Sequence, residues 1–287
     1  MAEYDAVAIV GVGLIGGSIG LALRERRLAK KIVGVGRRQI SLDAARKVGA
    51  IDHGVTNLAA GVSDAQLIIV ATPVNVIAER VVQAAAACPA AALITDAGST
   101  KGTIVAAVDA GLAGRRSGPR FVGSHPLAGD HRTGPEFARC DLFEGRTVVV
   151  TPTELTRPAA VTETSGLWES LGANVIQMQP EKHDVAVAMT SHVPHLLASA
   201  LAAATPADLL PLAASGWRDT TRIAGADPKL WQSIFTENKQ AVLDALEMLT
   251  HILDNLREAL DQGDHESLIA ILQAAAKRKR DRDALGD

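Results

Sequence analysis

Aromatic residues are scarce: Phe, Trp and Tyr make up 3% of the 287 residues. A core must therefore be built from Ala, Val, Leu and Ile. Cysteine is almost absent. Cys88 and Cys140 are too few for a disulfide framework or a zinc site, and neither sits in a CxxC pair. They read as ordinary thiols of a reducing compartment. No sign of charge dominates, since 29 Lys+Arg face 32 Asp+Glu for a formal charge of −3. That balance argues against a nucleic-acid partner and against a polybasic membrane anchor. No run reaches about 18 uninterrupted apolar residues; the longest apolar region, 84–94, is broken by Pro89. No basic stretch followed by a cleavage site precedes the first apolar run. From these absences a soluble cytoplasmic protein without a membrane partner is expected. A GxSxG nucleophile elbow, a P-loop lysine and paired catalytic carboxylates are missing too.

The 47% hydrophobic and 21% charged content supports a sizeable core, and the length suits two domains. Up to about residue 180, short β-rich runs alternate with helical patterns. Strands are expected at 6–10, 31–35, 66–71, 92–96, 120–123, 147–151 and 174–179, with helices such as 15–26 and 76–87 between the early ones. That alternation predicts a parallel sheet covered on both faces. Beyond Pro180 only helical patterns follow, at 183–203, 208–214, 228–260 and from Asp264. Apolar positions there recur at helical spacing, as in Ile234, Val242, Leu246, Leu249 and Leu253. The expected organisation is an α/β domain over 1–179 and an all-helical domain over 180–287. The charged tail 277–283 is expected to be solvated or frayed.

The first strand runs directly into Gly11-Val12-Gly13-Leu14-Ile15-Gly16. This is GxGxxG where its mechanism needs it, after a strand and opening a helix. Gly11 permits the turn, Gly13 lets a pyrophosphate approach the backbone, and Gly16 lets the helix pack closely. The phosphates would meet the positive helix N-terminus. The second strand ends in Gly36-Arg37-Arg38, without the acidic residue that holds a ribose 2′-hydroxyl. Arg37 and Arg38 suit a 2′-phosphate, so the expected cofactor is NADP, with NAD possible. The alternative for this pair is a solvated loop.

Ligands of open α/β sheets bind at the carboxyl ends of the strands. Thr72-Pro73 follows the third expected strand and Gly98-Ser99 the fourth; His125 follows the fifth. His125 is the best candidate for acid/base work. The helical part opens with Ser191, His192 and His195; two histidines without a third ligand do not make a metal site. Arg218 and Arg222, four apart on one expected helical face, suit an anionic substrate with one or two carboxylates, or else surface salt bridges.

GxGLIGGS, DAGSTKG, GSHPLAG, SHVPH, GWRDTTRIA and DPKLWQSIFTENK occur in that order from Gly11 to Lys239. Together they resemble the prephenate/arogenate dehydrogenase family of tyrosine biosynthesis. The resemblance implies a Rossmann-type dinucleotide-binding domain followed by a helical domain that builds a homodimer. It implies oxidative decarboxylation of prephenate or arogenate, with hydride passing from ring C4 to nicotinamide. His125 then matches the catalytic base, and Ser99 the serine that contacts substrate and nicotinamide and helps orient His125. Arg222 matches the carboxylate-binding arginine, with Arg218 a basic neighbour. Ser191, His192, His195 and Trp231 match pocket residues. The pattern departs at His131, preceded by Asp130, where several prephenate-using members carry an acid. Gly11, Gly13, Leu14, Ile15, Gly16, Thr72 and Pro73 are the expected cofactor contacts, together with Arg37 and Arg38. Two other readings are a β-hydroxyacid-type dehydrogenase, which would want a lysine that 183–203 lacks, and a nicotinamide-sensing binding protein.

Overall fold

The apolar runs pair as a strand–helix alternation requires. The computed structural model describes residues 3–114, 118–130 and 132–284. Its strands are β1 (Val7–Val10), β2 (Ile32–Val35), β3 (His53–Val55), β4 (Leu67–Val70), β5 (Leu93–Asp96), β6 (Arg120–Pro126), β7 (Thr147–Thr151) and β8 (Asn174–Gln177). They form one sheet of order β3-β2-β1-β4-β5-β6-β7-β8. All neighbours are parallel except β6 and β7, which run antiparallel. Strands β1 and β4 are buried at every residue, as a strand covered on both faces must be. Alternate side chains serve two cores. Val7, Ile9, Leu67 and Ile69 join Leu23, Phe143 and Trp168 on one face. Ala8, Val10, Ile68 and Val70 join Ile77, Val81 and Ile104 on the other.

The covering helices are α1 (Leu14–Glu25), α2 (Gln39–Lys47), α3 (Leu58–Val62), α4 (Val74–Ala87), α5 (Gly102–Leu112) and α6 (Pro158–Ser170). Two features differ from the sequence expectation. Strand β3 is additional, a three-residue edge strand with Gly54 at its centre. A Cβ on Gly54 would lie 2.7 Å from the Leu42 Cβ, so α2 packs directly on bare backbone. Strand β6 also runs on to Pro126, so His125 lies within a strand and not after one.

Beyond Gln177 the described residues hold no strand. A continuous run joins α7 (Pro180–Val187), a π-helical turn (Ala188–His192) and α8 (Val193–Ala204). By length and apolarity alone, this run of 25 residues would suffice to cross a membrane. Its buried His183, Asp184 and His192, however, are hydrogen-bonded inside the protein, as in a helix that serves a core. Next come α9 (Ser215–Thr221) and α10 (Pro228–Glu237), then α11 (Lys239–Gln262) and α12 (His265–Asp283).

Three helical expectations need correction. Residues 208–214 do not form an α-helix. Pro211, which has no amide to donate, sits inside a 3₁₀ turn, Ala207–Leu212. The helix expected over 228–260 is broken at Asn238, whose backbone leaves helical geometry at φ −111° and ψ 32°. Arg218 and Arg222 do not share one helix, because α9 ends at Thr221 and Arg222 opens a 3₁₀ turn, Arg222–Gly225. The charged tail is exposed and helical through Asp283.

The chain divides into two compact units, residues 1–238 and 239–287. In the second, α11 buries Val242, Ala245 and Ala259, while Leu243, Leu246, Ile252 and Leu253 are exposed.

Candidate active site

The turn out of β1 shows why it is built of glycine. Gly11 has φ +96°, and a Cβ there would lie 2.5 Å from the Ala71 carbonyl oxygen. A Cβ on Gly16 would lie 1.9 Å from the Gly11 carbonyl oxygen, whereas one on Gly13 would meet nothing within 4 Å. The first and third glycines therefore close the turn on the sheet, and the second leaves an open cradle. Gly13 caps α1 without a side-chain hydrogen bond, so the first amides of that helix face the cradle as free donors. Leu14 is buried and Ile15 half-buried beside them. Across the same sheet edge, Thr72 has a buried hydroxyl with no hydrogen-bond partner, and exposed Pro73 precedes α4. This donor set fits a dinucleotide pyrophosphate. Arg37 and Arg38 lie past the end of β2, both exposed. A Cβ on neighbouring Gly36 would press on Leu42 at 3.2 Å.

His125 stands on the extension of β6, paired with Val149 of β7. Its Nδ1 lies 2.8 Å from Nε2 of His183, and Nδ1 of His183 lies 2.7 Å from the Asp184 carboxylate. That carboxylate also accepts the Lys101 and Gly102 amides at 2.8 Å each. Beneath the strand, the fully buried Lys101 ammonium is paired with the fully buried Asp96 carboxylate and donates to the Ser124 carbonyl at 2.9 Å. Asp96 accepts the Gly98 and Ser124 amides. The Ser124 hydroxyl donates to the Asp96 carbonyl and accepts the Trp168 indole N–H. Burial first, then the positive potential of His183, Lys101 and His192, holds the His125 imidazole well below the usual histidine range. The ring is neutral near neutral pH and free to accept a proton.

The helical run carries a second pair of histidines. His192 is buried, and Asn238 donates to its Nδ1 at 3.2 Å, which leaves the His192 Nε2 as an N–H donor. Burial pushes the His192 pKa down to about 4, against an opposing pull from Asp184. His195 stacks on Trp231 with ring centroids 3.6 Å apart and planes 10° from parallel. Burial lowers its pKa as well, and its buried Nδ1 has no partner.

Other residues singled out from the sequence are placed differently. Ser99 is half-buried and makes no side-chain hydrogen bond among the described residues; the His125 Nδ1 is engaged by His183 instead. Ser191 is exposed on the π-helical turn. Arg218 and Arg222 are exposed, and the turn carrying Arg222 packs against α8. His131 lies outside the described residues. The sequence reading passed over Asp96, Lys101, His183, Asp184 and Asn238. The available signals were a lysine inside DAGSTKG, and a His-Asp pair in the first turns of a helix otherwise rich in apolar residues.

Residues 19–177 match a family model described as prephenate dehydrogenase, nucleotide-binding domain. Residues 179–274 match prephenate dehydrogenase, dimerization domain. Prephenate dehydrogenase of Bacillus subtilis (strain 168) is 36% identical over 280 residues, which is 94% of this chain and 74% of that protein. Prephenate dehydrogenase from A. aeolicus, solved with hydroxyphenyl propionate and NAD+, superposes with a TM-score of 0.89 at 32% identity, covering 96% of this chain and 98% of the other. Synechocystis arogenate dehydrogenase gives a TM-score of 0.81 at 30% identity over 98% and 99% of the two chains.

Proposed function

The chain belongs to the prephenate dehydrogenase family, and from that membership we propose how its own residues divide the family's nicotinamide-dependent oxidative decarboxylation in tyrosine biosynthesis. The bound cofactor supplies the hydride acceptor for ring C4 of the substrate. His125 accepts the proton of the C4 hydroxyl at Nε2. The ring carboxylate departs as CO2 and the ring becomes aromatic, which drives the reaction. Positioning and proton management remain for the protein. Arg222, with Arg218 beside it, binds substrate carboxylate. His192, His195, Trp231 and Ser191 wall the pocket, and Ser99 contacts substrate and nicotinamide. The observation that carries this reading is the placement of His125, hydrogen-bonded to His183 and set on a strand of the same sheet as the glycine cradle.

The cradle of Gly11, Gly13 and Gly16, with Leu14, Ile15, Thr72 and Pro73, holds the dinucleotide. NADP is the preferred form. Arg37 and Arg38 are exposed, and no carboxylate stands at Gly36 to repel a 2′-phosphate. Residues 1–179 form the cofactor-binding half, and 180–287 the substrate and dimerisation half. The exposed Leu243, Leu246, Ile252 and Leu253 of α11 support a homodimer through the helical half. Prephenate and arogenate, each assayed with NAD and NADP, test substrate and cofactor choice together. Turnover with neither substrate under any pairing would overturn the reading, and equal Michaelis constants for the two cofactors would remove the NADP preference.

A further inference from the structure

Taking His125 as the base, we propose that His183 and Asp184 are positioning residues, an Asp–His–His chain that fixes the His125 tautomer and receives its second proton during turnover. Asp184 accepts the Lys101 and Gly102 amides, at the N-terminus of α5. Those donors and the helix dipole favour an anionic, accept-only carboxylate. The hydrogen in its 2.7 Å contact with His183 therefore belongs to the His183 Nδ1. A neutral imidazole carries one N–H, so the His183 Nε2 holds a lone pair. The 2.8 Å contact between that atom and the His125 Nδ1 then takes its hydrogen from His125. The remaining nitrogen, the His125 Nε2, is left with a lone pair, as proton abstraction requires.

The same chain settles where the charge goes. Acting on His125 are His183 of α7, itself bonded to Asp184, Lys101 of the β5–α5 connection, paired with Asp96 of β5, and His192 of the π-helical turn. When its Nε2 takes the hydroxyl proton, an imidazolium there would face Lys101 unfavourably. Transfer of the Nδ1 proton to the His183 Nε2 leaves His125 neutral and puts the single positive charge against the Asp184 carboxylate. One proton enters at His125, one crosses to His183, and the pair ends with one added charge. Asn238 anchors the arrangement, donating to the Asp184 backbone carbonyl at 2.8 Å.

Imidazole ¹⁵N NMR of the unliganded enzyme at pH 8 reads the tautomers directly. Both His125 and His183 are expected as Nδ1–H, and an Nε2–H form of either overturns the proposal. In kinetics, His183→Phe should lower kcat by about 10²-fold with the Michaelis constants within about threefold. His183→Gln, whose amide oxygen can accept the His125 Nδ1–H, should recover at least about tenfold of that loss. Its acid limb of kcat/KM should move to higher pH, because a protonatable neighbour is gone. Equal impairment of the two variants with an unshifted pH profile would assign His183 a merely structural role, and parent-like turnover in both would remove it from the reaction. His125→Asn separates the two levels. If it turns over like the parent, the base is misassigned. If it collapses while His183→Phe does not, only the chain fails.

Discussion

Asp96, Lys101, Ser124, His183, Asp184 and Asn238 are buried and hydrogen-bonded to one another. Arg37, Arg38, Ser191 and Arg222 are exposed and make no side-chain hydrogen bond among the described residues, and Arg218 reaches only the Ala213 carbonyl. Both groups are rich in polar and charged side chains. The buried group is satisfied from within, so its geometry is set before any ligand arrives. Under the proposed function, the exposed group keeps its donors for the anionic groups of cofactor and substrate. Damage to the first should therefore register in turnover and stability, and damage to the second in Michaelis constants.

The sharpest test acts where the groups meet. His125→Asn should cut kcat by about 10²–10⁴-fold while leaving both Michaelis constants within a few fold, read by steady-state kinetics. Next, Lys101→Met strands the Asp96 carboxylate in the interior and should destabilise the fold by about 3–5 kcal/mol in urea denaturation. Adding Asp96→Asn should recover part of that loss. A single variant as stable as the parent would break the comparison.

Acid acts on the buried histidines. The His192 pKa is lowered from 6.5 to about 4, so the unfolded chain takes up its proton first. Stability is complete above 6.5 and is lost as pH falls toward 4, by roughly 2–3 kcal/mol from this residue. His125 and His195 act in the same direction. Thermal melts between pH 7.5 and 4 check this, and an unchanged melting temperature would contradict it. Among the exposed residues, Arg222→Ala should raise the substrate Michaelis constant roughly 10–100-fold, from the loss of about 1.5–3 kcal/mol of charged hydrogen bonding, with kcat nearly kept. The smallest effect is expected for Arg37→Asp, a shift of about tenfold in the NADP-to-NAD ratio of kcat/KM.

The parallel sheet and the glycine cradle were legible because both leave local marks: fully apolar strands, and glycines at fixed offsets. Strand β3 left none. Its three residues include a glycine and stand at an edge, so pairing with β2 defines it, not its own composition. The break at Asn238 was equally silent. No Pro or Gly marks it, and its amide is engaged 54 residues back in sequence, at Asp184. Of the site, His125 was visible from its place after an apolar run, but its partner was not. Which histidine meets which depends on α7 packing against α5, a contact between distant segments. The Asp96–Lys101 pair was hidden for another reason. Charged side chains five apart in a glycine-rich loop read as solvated until the burial around them is known.

The antiparallel turn of the sheet has a consequence in time. Strand β5 last pairs with β6 at Val122, while β7 accompanies β6 to Pro126, and the Leu127 amide continues that ladder to the Thr147 carbonyl at 2.8 Å. The His125 backbone is thus held in the sheet and cannot swing as a lid would. Its amide should exchange with deuterium only on the slow schedule of subglobal opening, together with Val148 to Val150. Adjustments around His125 then fall to side chains and neighbouring segments, while its backbone keeps still.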